Sequence, residues 1–202
     1  MTVVTQMLSE TEIKELGLRH VGENVKIDRS VRILFPHKVV IENNTRIDCM
    51  SVISCSGDVY IGPYSHFSIG TKIMGAGNFR SAAYVGVSSN VTFMTSSEDY
   101  SGEALATCMV PQEFRKNEIG DITLEEHVVC GPNSIILPNV TLGQGAAIGA
   151  LSLIAHSIPP FTIVSGNPPR KVGLRKRDIL LAQQLFEDSI QIKLENNDEF
   201  AN

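Results

Sequence analysis

The chain of 202 residues contains no tryptophan and only four cysteines, and aromatic residues make up 6% of it. The cysteines form no CxxC pair, which favours reduced, structural thiols over disulfides or a metal site. No apolar run is long enough to cross a bilayer, and the N-terminal residues show neither the basic start nor the cleavage site of a signal peptide. We therefore expect a cytoplasmic protein without a membrane span.

An excess of positive charge is also absent. The formal net charge is −5 and the isoelectric point is about 5.5. Proteins that bind nucleic acid carry a basic patch or stripe, whereas the basic residues here form only a short cluster near the C-terminus. Nucleic acid is therefore not an expected partner. The apolar share of 43% is ordinary and is enough to build a sizeable core in one domain.

The chain does contain a six-residue repeat that runs from Leu124 to Ile154. An amphipathic helix would return its apolar face at three, four and seven residues, so this period is not helical. The repeat is typical of a solenoid of very short strands, in which one side chain per repeat points inward and a small residue four positions later allows a corner. The inward positions are Leu124, Cys130, Ile136, Leu142, Ile148 and Ile154.

The same period occurs upstream of this segment. Three repeats make one coil in our interpretation, so each inward side chain should stack on the one eighteen residues later. A sandwich of ordinary strands would instead show alternation, with turns every eight to twelve residues. We therefore predict an all-β solenoid. The upstream inward positions are Ile61, Phe67, Ile73, Phe79, Val85 and Val91, and shorter runs begin at Val21 and Ile41.

Two helices are predicted to flank the repeats. Residues 8–18 can form a short helix capped by Ser9 or Thr11, and it should cover the open first coil. The apolar spacing from Asp178 to about Glu195 predicts a second helix, and the last eight residues are typical of a solvated tail. The predicted organisation is a cap helix in 1–20, the solenoid in 21–172, and a helix with a tail in 173–202.

The period is interrupted once, from residue 96 to residue 121. This segment is too long for a corner and too polar for a coil. Long excursions from a rigid scaffold often carry function, and apolar residues such as Tyr100, Met109 and Phe114 argue against simple disorder. We predict that this loop helps to form the functional site.

The segment that closes the repeats carries a specific resemblance. The run VTLGQGAAIGALSLIAHSIPPFTIVSGNPPRKV resembles the closing signature of the hexapeptide-repeat acyltransferases. The sugar-acetylating subgroup is the most similar, namely galactoside and maltose O-acetyltransferases and enzymes that modify lipopolysaccharide and capsule sugars. The resemblance covers about Val21 to Val172. It implies a left-handed parallel β-helix, typically a homotrimer, that moves an acetyl group from acetyl-coenzyme A to a hydroxyl or amino group of a sugar or nucleotide sugar, without a metal.

By the same resemblance, coenzyme A lies in the groove between two neighbouring β-helices, against the C-terminal coils. Small residues there would let the pantetheine arm approach the backbone, and an arginine could meet a phosphate. The positions that match this binding surface are Gly131, Pro132, Ala150, Ala155, His156 and Arg170.

The catalytic base is where the chain departs from the family pattern. The sugar acetyltransferases carry a catalytic histidine at the start of the interrupting loop, and the run VTFMTSSE places Glu98 there; the sequence contains no histidine between His66 and His127. The acidic segment SSEDYSGE nevertheless resembles a subgroup of acyltransferases. Three alternatives stay open. Glu98 or Asp99 acts as the base with a raised pKa, His66 acts as the base, or the protein binds without catalysis.

A metal-dependent β-helix enzyme of the carbonic-anhydrase-like type is a further alternative, and a non-catalytic binding or assembly protein is another. The metal enzyme needs several histidines on adjacent coils of neighbouring subunits. We place His66 and His127 at equivalent positions in their repeats, and we expect His20, His37 and His127 at the surface.

Overall fold

The protein is described by a computed structural model that covers residues 6–199, with side chains up to residue 192. It is a parallel β-helix of about seven turns, which confirms the predicted solenoid. The elements are α1 (Glu10–Glu15), β1 (His20–Val21), β2 (Lys26–Ile27), β3 (Arg32–Ile33), β4 (Val39–Ile41), β5 (Arg46–Ile47), β6 (Val52–Cys55), β7 (Val59–Ile61), β8 (His66–Phe67), β9 (Lys72–Gly75), β10 (Phe79–Ser81), β11 (Gly86–Val87), β12 (Thr92–Met94), β13 (Ser96–Ser97), β14 (Glu118–Ile119), β15 (Ile122–Leu124), β16 (Val129–Cys130), β17 (Ile135–Ile136), β18 (Val140–Leu142), β19 (Ala147–Ile148), β20 (Leu153–Ile154), β21 (Thr162–Ser165), β22 (Arg170–Leu174) and α2 (Asp178–Glu199).

The strands stack into three sheets that form the sides of a prism. Sheet A has the order β1-β4-β7-β10-β15-β18, sheet B the order β2-β5-β8-β11-β16-β19-β21-β22, and sheet C the order β3-β6-β9-β12-β17-β20. Each coil runs from sheet A through sheet B to sheet C, so the prism has corners that we name AB, BC and CA. Corner CA therefore lies opposite sheet B, across the core.

The length of a coil differs between the two halves of the helix. Leu124 pairs with Leu142, eighteen residues later, as predicted. Ile41 instead pairs with Ile61, twenty residues later, so the predicted spacing is wrong in the N-terminal half. The two additional residues lie at corner CA, where β6 and β9 each extend over four residues.

The longer coils also shift the repeat pattern within the solenoid. Phe79 pairs with Val59 and not with Ile61, so the six-residue step does not continue from one coil to the next. Each repeat has a second inward position two residues before the first, and both positions face the core. The change of register therefore leaves the prediction of a solenoid correct, because both positions point into its core. The second position holds Phe79, Val85 and Val91, and the first holds Ser81, Val87 and Phe93, all of them buried.

Three phenylalanines pack against one another in the core. The ring centroids of Phe67 and Phe79 are 6.2 Å apart, and those of Phe79 and Phe93 are 4.9 Å apart. All three side chains are fully buried. Burial of one such side chain contributes roughly 1.5–3 kcal/mol to stability.

Helix α1 closes the N-terminal end of the solenoid. Ser9 caps it, since its side chain accepts from the backbone N–H of Glu12 while the Glu12 carboxylate accepts from the Ser9 N–H. Ile13 is buried against the first coil. The helix is shorter than the predicted 8–18 because Gly17 adopts a left-handed conformation, with φ of 72°, which ends a helix.

Helix α2 covers corner AB of the solenoid. An aromatic stack stands at this corner: the centroids of Tyr64 and Tyr84 are 5.2 Å apart, and those of Tyr84 and His127 are 5.3 Å apart. Phe186 of α2 packs edge-on against Tyr64. The helix continues to Glu199, past the predicted end at 195, and residues 200–202 of the predicted tail lie outside the described residues, as do residues 1–5.

His127 is part of the attachment of α2 and not a surface residue. Its Nε2 atom lies 2.6 Å from Oε1 of Gln183, and its carbonyl accepts a hydrogen bond from Arg175 at 2.6 Å. Only 3% of the residue is exposed. The prediction of an outward His127 is therefore wrong, and so is its equivalence with His66, which lies on β8 of sheet B. Among the described residues, no helix is long and apolar enough to cross a membrane.

Candidate active site

The interrupting loop leaves the prism at corner CA. Strands β13 and β14 pair antiparallel at its base, with Ser96 opposite Ile119 and Ser97 opposite Glu118. This short hairpin ties the ends of the loop together and places Glu98 and Asp99 immediately beyond the last ladder pair. The hairpin therefore fixes the position of Glu98 and Asp99 at the edge of the solenoid.

Asp99 is engaged by the loop itself. Its Oδ1 accepts from the backbone N–H and the hydroxyl of Ser101 at 3.0 and 2.7 Å, and its Oδ2 accepts from the backbone N–H of Ala104 at 3.0 Å. These bonds, led by the Ser101 hydroxyl, lower the pKa of Asp99 to about 2. The side chain is therefore an anion that shapes the loop, and it is a weak proton acceptor.

Glu98 differs from Asp99 in its hydrogen bonding. Its Oε2 atom is buried and has no hydrogen-bond partner, and the same holds for Nε of Arg115 and Oδ1 of Asn117. Within the described part of the chain these are the buried side-chain atoms left unsatisfied, and all three belong to the interrupting loop. Buried polar groups are nearly always paired, so three exceptions in one loop favour a ligand or another chain as the missing partner.

His66 belongs to a charged chain on the outer face of sheet B. Its Nε2 lies 2.8 Å from Oδ2 of Asp48, whose Oδ1 accepts from Nε of Arg46 at 2.7 Å. Burial alone would raise the pKa of Asp48, but the bonds from His66 and Arg46 outweigh it and lower that pKa. Asp48 is thus an ionised, largely buried acceptor, and it orients an imidazole that is about half exposed.

The structure does not bring the alternative bases together within one chain. His66 lies on sheet B, whereas Glu98 and Asp99 stand at corner CA, on the opposite side of the core. They can share a site only if two chains meet.

Three of the predicted cofactor positions lie at corner BC. Pro132 and Ala150 are exposed there. Gly131 has a structural role: a Cβ atom at this position would stand 2.6 Å from the backbone nitrogen of Ala150 and 2.8 Å from the carbonyl oxygen of Ile148. The absent side chain of Gly131 therefore makes room for the next coil, which is a structural reason for glycine at this position.

Arg170 lies close to the same corner. It begins β22, which pairs antiparallel with β21 so that Arg170 stands opposite Ser165. The Ser165 side chain occupies the space beside Gly149, one residue before Ala150. The exposed Arg170 guanidinium thus belongs to the corner BC surface.

Ala155 and His156 form a separate group. Both follow β20 and are exposed at the corner CA end of sheet C. The structure therefore divides the six predicted cofactor positions between two corners, with the width of sheet C between them.

Sequence reasoning missed Arg46 and Asp48, the partners of His66. Arg46 and His66 are in register on β5 and β8, twenty residues apart. An eighteen-residue coil would have stacked Arg46 on Tyr64, so the assumed period hid the register of Arg46 with His66, although the same period would have stacked Asp48 on His66. A search for charged residues at twenty-residue spacing would have found it.

The histidines and cysteines do not gather into a metal-binding cluster. In the part of the chain that the structure describes, no three His, Cys, Asp or Glu residues are placed to hold a metal ion. All four cysteines are free, and burial raises the pKa of the Cys130 thiol to about 12.

The chain is similar to known acyltransferases, although it matches no protein-family model. It is 36% identical over 183 residues to the dTDP-4-amino-4,6-dideoxy-D-glucose acyltransferase of Escherichia coli, a match that covers 90% of this chain and 95% of that enzyme. A chloramphenicol acetyltransferase from Escherichia coli is 32% identical over 117 residues, which is 58% of this chain and 50% of that protein.

Solved structures share the architecture. AntD, an N-acyltransferase from Bacillus cereus in complex with dTDP and 3-hydroxybutyryl-CoA, has a TM-score of 0.90 at 33% identity, over 93% of this chain and 100% of AntD. Other AntD structures carry a substituted aspartate or serine, and one such serine variant is in complex with dTDP-4-amino-4,6-dideoxyglucose and coenzyme A. A hexapeptide-repeat acetyltransferase from Vibrio cholerae with bound acetyl-CoA has a TM-score of 0.54 at 20% identity, over 85% of this chain and 81% of that one, so it shares the fold.

Proposed function

Because the chain belongs to the hexapeptide-repeat acyltransferase family, we propose that it transfers an acyl group from acyl-coenzyme A to the amino group of a dTDP-linked 4-amino-4,6-dideoxy sugar. The observation that carries this proposal is the match to the Escherichia coli enzyme over nearly the full length of both chains. The complexes of AntD with dTDP, coenzyme A and the amino sugar support the same donor and acceptor. The proposal therefore takes the amino-group alternative of the sequence-based expectation in place of the O-acetyl transfer that this expectation put first.

An amine acceptor needs a weaker catalytic base than a hydroxyl acceptor does. A sugar hydroxyl must lose its proton as it attacks, whereas a neutral amine attacks with its own lone pair. The new C–N bond forms on the thioester carbonyl, the C–S bond breaks, and coenzyme A leaves as a thiolate. The base then needs only to take the acidic proton from nitrogen and allow it to reach the thiolate sulfur. A histidine or an ordinary carboxylate can do this.

We assign the proton acceptor to His66, with Glu98 as the second candidate. His66 is exposed and is held by an ionised partner. Glu98 has one unsatisfied carboxylate oxygen that could accept a hydrogen bond from the acceptor sugar. Asp99 is the weakest of the three predicted bases, since its pKa is about 2 and both its oxygens are engaged.

The donor is proposed to lie along corner BC and the neighbouring face of sheet C. Arg170 would pair with a phosphate of acyl-coenzyme A, because guanidinium and phosphate oxygens form charge-assisted hydrogen bonds. Pro132 and Ala150 would line one end of the groove, and Ala155 and His156 the other. Gly131 supports this surface through the stacking of the coils beneath it.

A homotrimer would complete the site. Met50 and Leu151 are about 70% exposed at corner BC, and Tyr100 and Met109 are almost fully exposed on the loop. When a chain carries two different apolar surfaces, one surface of each protomer can contact the other surface of its neighbour, and a threefold rotation closes such a head-to-tail ring. The loop of one protomer would then reach corner BC of its partner and bring Glu98 toward the sheet B face that carries His66.

The test is turnover of dTDP-4-amino-4,6-dideoxy-D-glucose with acetyl-CoA, followed by mass spectrometry and by release of free coenzyme A. We expect one acetyl group per sugar, in an amide that resists hydroxylamine. Melting of the protein should shift upward with acetyl-CoA, because a ligand that binds only the native state stabilises it. A hydroxylamine-labile ester would overturn N-transfer. Absence of both product and melting shift would overturn the acyltransferase assignment.

A further inference from the structure

A glycine beside His66 has no structural reason to be a glycine. Gly86 on β11 pairs with His66 on β8. A Cβ atom at Gly86 would meet only Cγ2 of Val129, at 3.8 Å, an ordinary contact distance, and the residue does not have a left-handed backbone. Glycine inside a strand lowers stability and often marks a place where a ligand approaches the backbone closely. Its absent side chain leaves a shallow notch in the outer face of sheet B, next to the imidazole.

The chain of charged residues below this notch sets the state of the imidazole. Nε2 of His66 lies 2.8 Å from the Asp48 carboxylate, and because an ionised carboxylate can only accept, Nε2 is the nitrogen that carries the proton toward it. Nδ1 of His66 makes no hydrogen bond within the described residues and is then the nitrogen with a free lone pair. Arg46 holds the other oxygen of Asp48 at 2.7 Å, so the carboxylate cannot rotate away.

The notch also separates two halves of sheet B. On the N-terminal side, Lys26, Arg46 and His66 follow one another in register. On the C-terminal side the next outward residues are Val129 and Ala147, which are uncharged. The charged groups that face His66 are therefore Arg46 on β5 and Asp48 directly after that strand, with Lys26 one coil further away. An acceptor lying across the notch would have its polar end toward this basic column.

We propose that the acceptor amino group enters the notch at Gly86, that Nδ1 of His66 accepts its proton, and that Asp48 and Arg46 are positioning residues that hold the imidazole. The inference rests on the proposed N-acyl transfer. During the reaction the sugar nitrogen bonds to the acyl carbon and loses one proton to Nδ1. The C–S bond breaks, and His66 returns the proton to the thiolate of coenzyme A, which leaves as the thiol.

The positioning role is tested with Asp48→Asn, and Asp28→Asn is the matched control. Asp28 holds the same place one coil earlier but bonds Ser30 instead of a histidine. With acetyl-CoA and dTDP-4-amino-4,6-dideoxy-D-glucose, Asp48→Asn should lower kcat at least tenfold while KM for the sugar stays within about twofold. Nitrogen-15 NMR of the ring should show the Nε2–H tautomer in the wild type and a loss of that preference in Asp48→Asn. Asp28→Asn should change neither.

The notch is tested with Gly86→Ala against Gly173→Ala, a glycine at which an added methyl group would meet no atom within 4 Å and whose backbone is not left-handed. Both variants should melt at the wild-type temperature or up to about 4 °C above it, because alanine restricts the unfolded chain where the native backbone tolerates it. Gly86→Ala should raise KM for the amino sugar about tenfold, as one methyl group in a fitted pocket can do, and leave KM for acetyl-CoA unchanged.

The outcomes separate the two proposals. If the wild type forms the amide while Asp48→Asn and Gly86→Ala behave like their controls, the inference is overturned and the function stands. If the wild type forms no amide, the proposed function fails, and the tautomer measurement still decides whether Asp48 orients His66. A wild-type Nδ1–H tautomer would overturn the positioning role in either case.

Discussion

Replacement of Gly131 by alanine tests whether glycine is needed here for the approach of coenzyme A or for the stacking of the next coil of the solenoid. A Cβ atom there would lie 2.6 Å from the Ala150 nitrogen and 2.8 Å from both the Gly149 carbonyl carbon and the Ile148 oxygen. All three are backbone atoms of the next coil, so none can move aside by changing a rotamer. Overpacking of this kind costs about 1–3 kcal/mol.

The loss of glycine flexibility in the unfolded chain offsets part of that cost. A Gly→Ala change stabilises by about 0.4–1 kcal/mol when the native backbone tolerates it. The expected net loss is therefore about 1–2 kcal/mol, which corresponds to a fall in Tm of about 2–8 °C for a domain of this size. Gly173→Ala is the control, because its methyl group would meet no atom within 4 Å.

The assay is thermal unfolding of both variants without ligand, followed by measurement of KM for acetyl-CoA. We expect Gly131→Ala to melt well below Gly173→Ala. If Gly131→Ala melts like the wild type but shows a higher KM for acetyl-CoA, the coil-stacking argument is refuted and the direct approach of the pantetheine arm is the better explanation.

Three further predictions concern the loop, the interface and the donor. The pKa of Asp99 is lowered in the folded chain, so the contribution of its carboxylate to loop order is present above its ordinary pKa and is lost as the pH falls toward about 2. Hydrogen exchange should therefore show that the Ala104 amide is protected at pH 5 and loses this protection near pH 2. Chains carrying His66→Asn and chains carrying Glu98→Gln, each nearly inactive alone, should regain about a quarter of wild-type activity when co-assembled at equal amounts, because a head-to-tail trimer then contains intact sites. Arg170→Ala should weaken acetyl-CoA binding about tenfold, as judged by calorimetry.

Each of these predictions has a result that contradicts it. Protection of the Ala104 amide that is already lost at pH 5 would mean that the Asp99 bonds do not order the loop. A co-assembled sample no more active than its parents would place His66 and Glu98 in different sites. Equal loss of affinity for acetyl-CoA in Arg170→Ala and in Lys171→Ala would indicate general attraction to a basic segment rather than a specific phosphate contact.

Patterns within short segments of the sequence were sufficient to predict the fold. Every sixth residue from Leu124 to Ile154 faces the core because a short strand must present an apolar side chain inward in each repeat. Ser9 and Glu12 carry a recognisable capping box, so the start of α1 could also be predicted. The end of α1 could not be placed from the apolar spacing, because Gly17 ends the helix while Leu18 still packs on the core.

The candidate site was less accessible to sequence reasoning. Neighbours in a β-helix are one coil apart in the chain, so the pairing of outward residues depends on the length of every coil. Two additional residues at corner CA move Arg46 into register with His66. The burial of His127 likewise depends on α2, which lies some fifty residues later in the chain and stacks over a corner that looks exposed in the repeat pattern.

The sequence by itself therefore determined the solenoid, its interruption and its resemblance to acyltransferases, because these depend on the identity of residues within one repeat or one contiguous segment. Only the tertiary structure decided that Asp48 holds His66, that Gly131 supports the next coil, and that Glu98 stands on the far side of the core from His66. The physical reason is that inward positions obey a local steric rule, whereas contacts on the outer surface are set by how many residues each corner adds to a coil.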